Sequence, residues 1–164
     1  MTQNKSRYAL ISLAILGIIL GGCREKVALK LRTDPEPITR RLHLPKTIGP
    51  VRWVSASPVS DAAGLPARTD FFDVYAYIEL DAGAWIELEK TAGGAGALGS
   101  IVIPEAAAAL ILPSNAVADF KSAKEGREAE GPLFNPASLA AEDKTEVQRA
   151  MRIGNALIVQ MRVF

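Results

Sequence analysis

Leu157-Ile158-Val159-Gln160-Met161-Arg162-Val163-Phe164 is the stretch on which the fold turns. Leu157, Val159, Met161 and Val163 alternate with Ile158, Gln160, Arg162 and Phe164, the period of two that sends successive side chains to opposite faces of a pleated strand. A segment this apolar does not fray into water, so it is expected inside a sheet. The stretch before it reads differently. Over Glu142 to Arg152, Val147, Ala150 and Met151 fall on one helical face, acids open the segment, and Arg149 and Arg152 close it in keeping with the helix dipole. The expectation is a helix over 142–152, a Gly154-Asn155 break, and a strand to Phe164.

Working back along the chain, Phe72 to Leu80 is rich in aromatic and β-branched residues and reads as a strand. Asp81 stands where an N-cap belongs and Gly93 where a helix stops, so residues 82–90 read as a short helix with Trp85, Leu88 and Ala92 on its inner face. A second strand-then-helix unit follows. Ile101-Val102-Ile103 is a strand candidate, Pro104 suits a first helical turn, and alanine-rich Glu105 to Leu112 runs until Pro113. Residues 114–136 are polar, with Gly126, Gly131 and Pro132, and read as loop with one weak helix at most. Val51 to Ser57 reads as a strand and Pro58 to Thr69 as a loop. Val27 to Arg32 alternates as a half-buried strand does. After it, Pro35, Pro37, Pro45 and Pro50 punctuate a tether or an extended edge segment.

The fold class expected is α+β: one small domain with a mostly antiparallel sheet and two or three short helices. The division expected is a leader over 1–22, an anchored N-terminus with strand and proline-rich tether over 23–50, and a globular domain over 51–164.

The first twenty-three residues carry an address. Lys5 and Arg7 precede the uncharged run from Tyr8 to Leu20, which leads into Gly21-Gly22-Cys23, and Cys23 is the chain's one cysteine. A positive end followed by thirteen apolar-rich residues and small residues has the layout of an export leader. As a permanent span it is short, since about 20 apolar residues are needed to cross a hydrocarbon core. Leu20-Gly21-Gly22-Cys23 resembles the lipobox of bacterial lipoproteins. That resemblance implies cleavage between Gly22 and Cys23, a diacylglyceryl group on the Cys23 sulfur, and a body held outside the cytoplasm by its acyl chains. Arg24 stands where an aspartate favours inner-membrane retention in that class, so the outer membrane, periplasmic face, is the expected location.

Loss of residues 1–22 removes two cations and no acids, leaving 17 basic and 18 acidic residues and a net charge of −1. Residues 24–68 carry nine Lys/Arg against four Asp/Glu, and residues 69–146 carry five against fourteen. The basic segment adjoins the anchor, which makes Arg40, Arg41, Lys46 and Arg52 candidates for contact with anionic headgroups. The balance offers no basis for nucleic-acid binding. With Cys23 acylated, no disulfide forms within the chain, and packing alone must hold the core.

Few reactive groups are available. His43 is the single histidine and lies among Arg40, Arg41 and Lys46, so neither a histidine-based triad nor an N/S metal site is expected. Gly94-Ala95-Gly96-Ala97-Leu98-Gly99 matches G-x-G-x-x-G in letters. Phosphate binding needs that turn after a strand and before a helix, and here the order is reversed. A carboxylate site would need Asp70, Asp73, Glu79 and Asp81 to converge. No cofactor is expected. The reading favoured by the sequence is a lipid-anchored, non-catalytic module that binds an envelope protein. The alternative is a small carboxylate-dependent hydrolase of cell-wall glycan, which requires two acids roughly 5 to 9.5 Å apart.

Overall fold

The computed structural model describes residues 29–56, 71–94 and 96–164. The leader, Cys23, residues 27 and 28 of the first expected strand, the loop expected over 58–69, Asp70 and Ala95 lie outside them. In chain order the elements are α1 (Glu36–Thr39), β1 (Val51–Ala56), β2 (Phe72–Glu79), α2 (Ala82–Ala92), β3 (Leu98–Ile103), α3 (Glu105–Ile111), β4 (Lys121–Ala123), β5 (Gly126–Pro132), α4 (Pro136–Leu139), β6 (Thr145–Ile153) and β7 (Ala156–Val163). A 3-10 turn spans Val117–Asp119. The class is α+β, in one small domain.

Four strands make an antiparallel sheet in the order β1-β2-β7-β6, and three more make a second in the order β3-β5-β4. β7 is central, hydrogen-bonded to β2 on one side and β6 on the other. Its two side-chain sets therefore enter two cores. Leu157, Val159 and Met161 pack with Trp53, Val74, Ile78, α2 and Phe134. Ala156 and Ile158 pack with Val54, Tyr75, Tyr77, the inner residues of α3, and Ile101, Ile103 and Ala129 of the second sheet. The molecule is thus layered: α1, α2 and α4 on one face of the four-stranded sheet, α3 and the second sheet on the other.

α2 forms as its signals predict. Asp81 is extended and its carboxylate accepts the Ala84 N–H at 2.8 Å, satisfying an orphan amide of the first turn, while Gly93 closes the helix with its N–H on Glu89 O. Trp85, Leu88 and Ala92 are buried. Trp85 stacks on Phe134 at 5.9 Å between centroids, and Arg152 covers the Trp85 ring at 4.4 Å.

Three expectations are corrected. Residues 145–153 are a strand, β6, paired to β7 across the Gly154-Asn155 turn. The register jumps between Val147 and Arg149, a bulge with Gln148 as the extra residue. That insertion puts Val147 and Ala150, three apart, into the same core while Met151 enters the other. A spacing of three is what a helix shows, and the bulge reproduces it. Residues 114–136 hold β4 and β5 as well as the 3-10 turn, so this stretch is more structured than a loop. Its polar letters arise because β5 buries only Gly126, Ala129 and Gly131, all small.

Along 36–42 the expected tether is a packed part of the fold. Ile38 and Leu42 are each 1% exposed in the core beneath α1, and His43 N–H reaches Leu139 O at 2.8 Å. The globular body therefore begins before residue 51. Arg32 forms a two-way antiparallel bridge with Trp53, and this single pair is what remains, among the described residues, of the strand expected over 27–32.

Candidate functional site

The two ends of the four-stranded sheet differ. At one end Val51 pairs with Ile78, which pairs with Leu157; at the other Ala56 pairs with Asp73, which pairs with Arg162. Near the second end, a cleft of about 300 Å³ lies between α1 and the sheet. Trp53, Val74, Met161, Val163 and Ile38 give it apolar walls, and Arg32, Arg41 and Ser55 are its polar lining. Phe72 stands at its rim, 49% exposed.

Both arginines are pre-positioned. Arg32 lies with its guanidinium 4.8 Å from the Trp53 ring centroid, held there by the backbone bridge between the same two residues. Trp53 in turn donates its indole N–H to Asp34 O at 3.0 Å, which fixes the ring. Arg41 donates Nη1–H to Pro37 O at 2.7 Å, so α1 holds its fork, and its Nε is buried with no protein partner. A buried guanidinium donor without an acceptor is costly, and since Arg41 lines the cleft with Arg32, two cations border any anion seated there. Among the described residues no Asp or Glu lines the cleft. The arrangement suits a carboxylate or similar anion carried beside apolar groups.

No family model, no curated protein and no solved structure matches this chain.

The candidates drawn from the sequence are scattered. Arg40 is exposed and pairs with Glu142 at 3.2 Å. Arg41 is in the cleft. Lys46 is exposed, three residues before Gly49, whose N–H meets Glu79 O, and so near the far end of the sheet. Arg52 points to the opposite face from Trp53 and donates Nε–H to Ile111 O at 2.9 Å and Nη2–H to Leu110 O at 2.8 Å. It satisfies two carbonyls at the C-terminus of α3, where a cation also suits the helix dipole. Arg41 and Arg52 therefore act on opposite faces of the sheet. Replacing Arg52 with alanine should lower stability by roughly 2 kcal/mol in chemical denaturation, and lysine should restore less than half, since one ammonium cannot fork both carbonyls.

Among the described residues the candidate acids Asp73, Glu79 and Asp81 do not converge either. Asp73 binds Arg162 at 3.0 Å. Asp73 and Glu79 share a strand face six positions apart, which sets them about 20 Å from each other. Between them stand Tyr75 and Tyr77, whose hydroxyl pKa values rise above 10.0, first through burial and then through Asp73 and Glu79 respectively. Asp81 is occupied as a helix cap. Among the described residues no three His, Cys, Asp or Glu side chains group as a metal site would require. His43 is exposed. Gly96 N–H is bound to Leu133 O at 2.7 Å and Leu133 N–H to Ala97 O at 3.1 Å, so this part of the glycine-rich turn spends its backbone groups on the residue after β5. Among the described residues no helix is long and apolar enough to cross a membrane.

Sequence reading missed Arg32, Trp53 and Phe72 as partners of Arg41. With Arg41 they come from four separate elements or linkers, and no local pattern joins them.

Proposed function

We propose that this chain is an exported, lipid-anchored protein of the bacterial envelope that works by binding another envelope protein rather than by chemistry of its own. The anchor follows from the lipobox resemblance at Leu20 to Cys23, with cleavage after Gly22 and the outer membrane as its seat. The observation that carries the binding role is the cleft beneath α1, where Arg32 and Arg41 border apolar walls. The partner it suits is a segment presenting a carboxylate beside apolar side chains. Burying those side chains supplies the affinity, and the guanidiniums fix register.

The test is photo-cross-linking in the native envelope. A photoreactive residue at Ser55, inside the cleft, should capture one defined protein, whereas the same group at exposed Lys124 should not. Arg32→Glu combined with Arg41→Gln should lower the Ser55 adduct at least tenfold, as the loss of one charge-assisted hydrogen bond suffices for that. An adduct that persists undiminished in the double variant, or no adduct at Ser55, would remove the cleft as the binding site.

A further inference from the structure

The Arg32–Trp53 bridge fixes where the chain enters the body. Because that pairing is antiparallel, residues preceding Arg32 run toward the Ala56 end of β1, and hence toward Phe72 at the start of β2 and Val163 at the end of β7. Leu29 therefore lies at the end of the sheet that also carries the cleft. Cys23 is six residues before Leu29, and a chain that short reaches at most about 22 Å even when fully extended.

That same end carries three aromatic side chains on the two faces of the sheet, Phe72 on the face of the cleft and half-buried Phe71 with Phe164 on the other. Phe72 is 49% exposed and Phe164 56%. Phe71 and Phe164 lie 6.0 Å apart between ring centroids, and the Arg162 guanidinium covers the Phe71 ring at 4.3 Å. Phe164 is tied down through its N–H on Lys144 O, so the cluster is held by the sheet register on both sides. Among the described residues the other large exposed apolar side chains, Ile86, Leu98 and Val117, belong to α2, β3 and the 3-10 turn and do not extend this patch.

Charge around the cluster is mixed. Lys30, Arg32, Lys144 and Arg162 stand at this end with Asp73, Asp143 and Glu146, and Asp73 is already neutralised by Arg162. The aromatic rings, not a net field, must then do most of the work. Phenylalanine rings buried a few ångströms into the headgroup and acyl boundary, with Lys and Arg beside them, are a composition by which interfacial segments hold a membrane surface.

We propose that the Phe71, Phe72 and Phe164 end of the four-stranded sheet is the membrane-contacting face of the protein, seated in the interfacial region of the bilayer that holds the Cys23 acyl chains. The inference rests on the lipoprotein reading. It adds an orientation that the reading does not contain: the aromatic end lies against the lipid, and the Val51 and Glu79 end points away. Phe72 then serves both surfaces, and the cleft opens beside the headgroups.

The experiment uses the full-length protein matured in its host and reconstituted into phosphatidylcholine–phosphatidylglycerol vesicles containing a phospholipid with a diazirine on its acyl chain. After irradiation, peptide mass spectrometry should find lipid adducts on Phe71, Phe72 or Phe164, and at least fivefold fewer on Ile86, Leu98 and Val117. Phe72→Ser with Phe164→Ser, both at exposed positions, should lower adducts at this end at least fivefold, while Ile86→Ser with Leu98→Ser should leave them unchanged. Acylated Cys23 together with adducts elsewhere, or with none on the body, overturns the orientation and leaves the anchor standing. An unmodified Cys23 in the same digest overturns the anchor reading and the orientation with it.

Discussion

Alanine at position 126 is expected to destabilise the domain by about 4 kcal/mol, seen as a fall of roughly 10 to 20 °C in Tm. Gly126 opens β5 at a φ of 148°, a region that L side chains rarely adopt. An added Cβ would also stand 2.0 Å from Ile103 O and 2.8 Å from Pro104 Cα, both backbone atoms at the junction of β3 and α3. Neither can retreat. Ile103 is paired to Arg127 in the second sheet, and Pro104 O accepts the first amides of α3. Strain at the dihedral and a backbone collision add, so the loss exceeds either alone. Gly154 separates the two causes. It has a φ of 57° in the β6–β7 turn with nothing within 4 Å of an added Cβ, so Gly154→Ala carries only the dihedral cost, about 1 to 2 kcal/mol. Equal losses at the two sites in thermal or urea unfolding would show that the Ile103–Gly126 approach is looser than the geometry states.

The element types legible in the sequence are those whose signals are local. Asp81 and Gly93 bracket α2 because a cap works through neighbours three or four residues away. The run at 157–163 reads as a strand because both of its faces are apolar, as a central strand requires. β6 is misread because its decisive feature is not local: Gln148 bulges only in relation to Met161 and Gln160 on β7, and the resulting three-residue spacing of Val147 and Ala150 imitates a helix. β5 hides for another reason. Its buried positions are Gly126, Ala129 and Gly131, the glycines crowded by Ile103 at the first and by Met151 and Arg152 at the second, and small residues carry no hydrophobic period.

The candidate site was legible only in Arg41. Its partners Arg32, Trp53 and Phe72 are brought together by a one-pair bridge, a packed helix of four residues and the β1–β2 register, each a long-range fact. Arg52 shows the opposite case. A cation in a basic stretch near the anchor reads as a headgroup contact, yet the strand parity that buries Trp53 on one face must turn Arg52 to the other, where the end of α3 takes both of its donor edges. Basic composition says how many cations a segment has, and strand parity decides which of them remain available.

Cys23→Ala is expected to abolish acyl labelling and to leave a precursor 22 residues longer than the mature chain, because the lipoprotein peptidase acts on the diacylated cysteine that the resemblance places here. Globomycin, which blocks that peptidase, should produce the same lengthening in the wild type while keeping the label. A second variant carries the stronger prediction. With an ordinary secretory leader in place of residues 1–22 and alanine at 23, the domain should be exported, fold with an unchanged Tm, and shift from the membrane pellet to the soluble fraction by more than 100-fold. The size follows from the chains: each buried methylene contributes about 0.8 kcal/mol, and one chain alone binds only marginally, so two or three chains decide the partition almost entirely. The unchanged Tm follows from placement, since the two cores close around residues 29 to 163 without the cysteine. The exposed phenylalanines sharpen the outcome. If they sit in the interface as proposed, the unacylated domain should still bind phosphatidylglycerol-containing vesicles weakly, and Phe72→Ser with Phe164→Ser should remove that residue of affinity. A domain that stays in the pellet without its acyl chains would mean that something other than Cys23 holds it to the envelope.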